Sequence, residues 1–168
     1  VVRLEKAPKI AIYSPNNKQP WDDAVTLALT YAEIPYEVIY DEEVLSNLLP
    51  LYDWLHLHHE DFTGQYGKFY ASFKNATWYK DQKRDYEILA KKLGYEKVST
   101  EKLAVAKKIK EFVNGGGFLF AMCSATDSYD IALAAEGLDI CGPMFDGDAA
   151  EPNAQENLDF SKTLAFKN

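Results

Sequence analysis

Cysteine is scarce in these 168 residues, with only Cys123 and Cys141, too few for a disulfide framework. No window approaches the roughly 20 uncharged apolar residues of a membrane span, so a soluble chain is expected. Positive charge is also short: 18 basic residues face 26 acidic ones, a net charge of −8. Nucleic-acid binding relies on a basic footprint, and the sequence has none. Nor does it open with a basic-then-apolar leader. It starts Val1-Val2-Arg3 and stops at Phe166-Lys167-Asn168, which reads as a fragment of a longer protein and leaves the compartment open. What is present suffices for one core. Hydrophobic residues make up 47% and aromatics 14%, too apolar for disorder and sized for one domain over 1–168.

Strand and helix signals alternate. Lys9–Tyr13 reads as a strand ending at Ser14-Pro15-Asn16-Asn17. Pro20 suits the first position of a helix, with Asp22 and Asp23 in its first turn. Trp21, Val25, Ala28, Leu29 and Ala32 continue at helical spacing. After Pro35, residues 36–40 form a second strand, a short helix covers Glu42–Leu49, and residues 52–58 form a third. Phe62–Tyr79 is an irregular, aromatic-crowded stretch. A helix carrying Tyr86, Leu89, Ala90 and Leu93 stops at Gly94. Ser99 or Thr100 caps another, with Leu103, Ala106, Ile109 and Val113 on its inner face. Gly115-Gly116-Gly117 ends that helix and leads into the strand 117–122, and a helix runs from about Asp127 to Ala135. Because a phosphate cradle follows a strand and opens a helix, the glycine run is a helix stop.

Apolar strands alternating with helices predict a mostly parallel sheet covered on both faces, a three-layer α/β sandwich of the flavodoxin-like kind. Ligands bind such sheets outside the carboxyl ends of the strands. That edge comprises Ser14–Gln19, His59–Gly64 and Cys123–Asp127.

The sharpest local feature is the strand–Cys–helix junction Phe118–Thr126, which resembles a nucleophile elbow. A helix N-terminus favours a thiolate, and its amides can hold an oxyanion. The plain alternative is a small buried hydrophobe. All three histidines, His56, His58 and His59, lie within four positions and precede Glu60 and Asp61. His56, deepest in the strand, is structural. His58 and His59 are candidates to serve Cys123 as base or orienter, with Glu60 beside them. A metal set with Asp61 and a hydrogen-bonded strand end are the alternatives. Ser124, Thr126, Asp61 and Gly64 are the ligand-binding candidates on the two loops. Asp146, Asp148 and Glu151 lack the regular spacing of a calcium loop and read as a solvated acidic loop.

With these residues in view, the chain resembles the class I glutamine amidotransferase-like superfamily. Lys9–Tyr13, the Tyr52–His58 oxyanion-strand position and Gly115–Thr126 carry the likeness. Some similarity to trehalose-utilisation-like domains rests on the strand-end His and the run Gly116-Gly117-Phe118-Leu119-Phe120-Ala121. Tyr52–Gln65 and Phe118–Asp130 are more closely similar to a bacterial family often labelled asparagine synthetase B. The resemblance covers most of residues 8–166 and implies a Cys nucleophile with a late His and Glu. The sequence departs from that pattern. No His follows Cys123, the Gly-x-Cys-x-Gly elbow reads Ala121-Met122-Cys123-Ser124-Ala125, and the oxyanion-strand Pro-Gly-Gly is His58-His59-Glu60. Asparagine synthetase activity is not expected, since neither an N-terminal Cys nor a Ser-Gly-Gly-x-Asp-Ser loop occurs.

Three functions follow as expectations. The first is an amidotransferase-like domain with a Cys123, His58, His59 and Glu60 crevice, without glutaminase activity in this chain alone. The second is a non-catalytic module for a small ligand such as a carbohydrate. The third is a metal-dependent hydrolase at His58–Asp61, for which zinc is the fitting ion. No other cofactor is expected. The partners expected are a small-molecule ligand or substrate and the rest of a longer parent chain.

Overall fold

The structure, a computed structural model, describes residues 6–15, 24–67 and 69–166. The elements in order are β1 (Ile10–Tyr13), α1 (Ala24–Tyr31), β2 (Tyr36–Ile39), α2 (Asp41–Leu45), β3 (Trp54–Leu57), α3 (Phe69–Phe73), α4 (Thr77–Lys92), α5 (Val98–Asn114), β4 (Phe118–Ala121) and α6 (Ser124–Ala134). Short 3₁₀ turns lie at Leu49–Leu51, Ala154–Asn157 and Phe160–Lys162. All strand pairings are parallel, in the order β2-β1-β3-β4. The α/β class expected from the alternation of signals is therefore the class observed. The expected helix start at Pro20, with Trp21, Asp22 and Asp23, lies outside the described residues, as do Asn16–Gln19 of the first loop. No described helix is long and apolar enough to cross a membrane.

Period-2 alternation sorts each strand between two faces. Ala11, Tyr13, Leu55 and Leu57 join Ile109, Phe112, Tyr129 and Leu133 in the main core, under α5 and α6. On the opposite face Ile10 and Ile12 meet Leu29 of α1, with Trp54 packed beside them. Among the described residues α1 spans eight positions, and Phe118 and Phe120 of the edge strand are 56% and 46% exposed. Helices thus flank both faces, as expected for a three-layer sandwich.

Several boundaries shift for physical reasons. The Glu42–Leu49 helix becomes α2 plus the 3₁₀ turn containing Pro50, because Asn47 at φ +63° closes α2, with the Leu48 amide donating back to the Glu43 carbonyl. The aromatic stretch is not irregular throughout: α3 lies inside it and α4 begins at Thr77. The α5 cap is Lys97, not Ser99 or Thr100; the Thr100 hydroxyl donates back to the Lys97 carbonyl. Gly117 follows α5 because a Cβ there would sit 2.2 Å from the Phe112 ring, and Gly116 has φ +99°. The triple glycine thus serves a helix stop and a close approach.

Candidate active site

Parallel pairing of β3 with β4 brings their carboxyl ends to one edge. The Met122 amide donates to the Leu57 carbonyl at 3.1 Å and the Ala125 amide to the His58 carbonyl at 3.3 Å. Side chains of α6 continue the seam: Ser124 Oγ donates to the His59 carbonyl at 2.8 Å and Ser128 Oγ to the Glu60 carbonyl at 3.0 Å. The residues around Cys123 and the segment 58–60 therefore occupy one stretch of sheet edge. Helix α6 begins at Ser124, three residues before the expected start, so Cys123 is itself the N-cap.

The backbone of Cys123 has φ 56° and ψ −139°, and its side chain is exposed. That conformation is strained for a residue with a Cβ, at roughly 1–3 kcal/mol, and is the sharp strand-to-helix turn that lifts a nucleophile above a sheet. Replacing Cys123 by Gly should remove the strain. After allowing for the added freedom of Gly in the unfolded chain, the variant should be more stable by about 1 kcal/mol. Urea unfolding of the two proteins measures this; a less stable glycine variant would show that the turn is relaxed. The Ser124 amide follows Cys123, the position used by oxyanion holes at nucleophile elbows, whereas the Ala125 amide already serves His58.

His58 and His59 touch each other. Their Nδ1 atoms are 3.0 Å apart, so one ring carries a proton there and the other accepts it. Glu60 is buried, and its Oε2 accepts the His58 amide at 3.2 Å. His56 is 1% exposed and stacks on Phe120 at 5.5 Å, in keeping with a structural role.

The ligand-binding candidates are chiefly engaged in holding the loops. Asp61 Oδ1 accepts the Thr63 amide and hydroxyl, and its Oδ2 accepts the Gly67 amide. Thr126 Oγ1 donates to the Cys123 carbonyl at 2.7 Å. Gly64 lies against Ser99 of α5. His59, Glu60 and Asp61 line a cleft with Pro15 of the expected edge loop and Tyr66 of the aromatic tract, while Gln82 and Tyr86 of α4 are lining residues that sequence reasoning did not place there. That cleft is small, about 40 Å³, the scale of a water or two.

Larger cavities lie elsewhere. One of about 360 Å³ opens at the amino ends of β3 and β4, beside Tyr52, Asp53 and Gly115–Gly117. Another of about 300 Å³ lies between α5 and the end of α6. The first lies away from the carboxyl edge, where a parallel sheet exposes its strand-end loops and helix N-termini.

Among the described residues the cluster with metal-like geometry is Asp139, Cys141 and Asp146, not the histidine segment. Lys97 sits among its carboxylates, 2.6 Å from Asp139 and 3.0 Å from Asp146, and is 2.8 Å from Asp148. Hydrogen bonding to these aspartates holds the Lys97 pKa above its ordinary value. Burial pushes the Cys141 thiol up to about 12, and it donates to the Thr63 carbonyl. This donor set fits an ammonium ion and a neutral thiol rather than a metal. The expected solvated acidic loop is instead folded around a lysine.

Compared with known protein families, curated proteins and solved structures, the chain matches none.

Proposed function

We propose that this chain is an amidotransferase-like α/β domain whose carboxyl edge presents Cys123 as a thiol nucleophile, with His59 and His58 as the local base system. The observation that carries the reading is the strained, exposed Cys123 N-cap of α6. Further support comes from the order β2-β1-β3-β4, which agrees with the first four strands of a flavodoxin-like sheet. In this scheme Cys123 Sγ attacks a carbonyl or amide carbon, His59 takes the thiol proton through Nε2, and the Ser124 amide faces the developing oxyanion.

Turnover of glutamine by the chain alone is not expected. The amidotransferase pattern needs a late His, no His follows Cys123, and losing a triad member typically costs several orders of magnitude. Ammonia release from glutamine should therefore match that of Cys123→Ala. A Cys123-dependent rate well above the variant's would contradict that expectation. The base assignment is tested by the rate of iodoacetamide alkylation at Cys123, followed by mass spectrometry at neutral pH. His59→Ala should slow it about tenfold while His56 is untouched, and an unchanged rate would remove His59 from the reading.

A further inference from the structure

Behind the His59 cleft lies a fully buried charged cluster that the thiol chemistry does not use. Tyr13 ends β1, Tyr40 and Asp41 follow β2, and Glu101 and Lys102 stand on α5; all five are nearly inaccessible. Lys102 Nζ donates to Tyr13 Oη at 2.9 Å, Tyr40 Oη at 2.9 Å and Asp41 Oδ2 at 2.6 Å. An ammonium has three N–H donors, so all are committed. The Tyr13 hydroxyl donates to the other oxygen of Asp41.

Glu101 is the remainder. Among the described residues its buried Oε1 has no hydrogen-bond partner, and Asp41 is its acidic neighbour. Two ionised carboxylates are acceptors only, so Asp41 and Glu101 cannot satisfy one another unless one of them carries a proton. One ammonium balances one carboxylate; a second buried negative charge would be uncompensated. Among the described residues the neighbours that act on the cluster are Tyr86 of α4 and Glu60 after β3, a phenol and one more acid rather than another cation.

We propose that Lys102, Asp41, Glu101, Tyr13 and Tyr40 form a proton-dependent latch that locks α5 to the carboxyl edge of the sheet, closed while Glu101 carries a proton and loosened when that proton leaves. Burial, opposed by Lys102 and reinforced by Asp41, raises the Glu101 pKa from 4.5 to about 8. The sign follows. Over that interval the folded chain keeps a proton the unfolded chain has lost, so stability falls as pH rises and levels off above about 8.

The test is urea unfolding of the whole chain across pH 5.5–9, for wild type and Glu101→Gln. The wild-type unfolding constant should rise by up to about tenfold more per pH unit than that of the variant. Equal pH slopes would overturn the latch. A second measurement needs no variant: infrared spectra of chain carrying ¹³C-labelled glutamate carboxyls. A label-shifted band of a buried, protonated glutamate at pH 6.5, lost by pH 9, supports the proposal. Its absence at pH 6.5 would refute it.

Discussion

Lys102→Met should unfold at far lower urea concentrations than wild type at pH 7, with a loss of roughly 3–5 kcal/mol, the usual consequence of removing one partner of a buried ion pair. Methionine nearly fills the lysine's volume, so the loss is electrostatic rather than a cavity effect. The side chains of Lys102 and Asp41 are 3% and 1% exposed, and water cannot replace the missing cation. Burial opposes the Lys102 charge, but Asp41 and Glu101 outweigh it and hold its pKa above the ordinary value. Removing the ammonium also strips an N–H donor from each of Tyr13, Tyr40 and Asp41. The double variant Lys102→Met/Asp41→Asn removes the stranded anion and should recover at least about 1 kcal/mol relative to the sum of the singles. A single-variant loss below about 1 kcal/mol, or strict additivity in the double, would contradict an ionised pair at this position.

This cluster shows where reading the sequence succeeds and where it stops. Strands announced themselves because β-branched and aromatic residues fell in short apolar runs between turn signals, and their parallel order followed from the helices between them. The inner face of α5 was read only in part: Ala106 and Ile109 are buried and Val113 packs against the core, but its charged members were missed. Apolar spacing alone selects Leu103 and Val113, whereas the buried stripe is Val98, Glu101, Lys102, Val105, Ala106, Ile109 and Phe112. That stripe has a clean helical period only if two charged residues are admitted to it. Nothing local distinguishes an adjacent Glu-Lys pair in water from one in a core; the deciding partners, Asp41 and Tyr13, lie 61 and 89 residues from Lys102. The elbow was legible because strand, cysteine and helix are contiguous. Its strain was not, since Met122 and Ser124 flank Cys123 where glycines would have marked a sharp turn. The engagement of Asp61 also needed coordinates, because its carboxylate reaches only two to six residues ahead within its own loop.

That loop supplies the second large effect. Gly64→Ala should lower stability by roughly 2–4 kcal/mol, combining a left-handed backbone with a steric clash. Gly64 has φ +78°, and a Cβ there would lie 2.7 Å from Ser99 Cβ, 2.8 Å from its Cα and 2.9 Å from its amide nitrogen. The obstacle is largely backbone in the first turn of α5, which cannot swing aside as a flexible side-chain end would. The loop cannot yield easily either. Asp61 ties Thr63 and Gly67 from within, while Gln65 Nε2 donates to the Ile140 carbonyl at 2.7 Å. Gly94→Ala is the matching control, because Gly94 has φ +89° with nothing within 4 Å of the added Cβ. It should lose only the conformational part, about 1 kcal/mol. Thermal or urea unfolding of the pair separates the two contributions: Gly64→Ala must be the less stable by at least about 1 kcal/mol. Equal losses would mean that α5 does not press on the Asp61–Gly67 loop, and that the loop holds the His59 cleft open without its support.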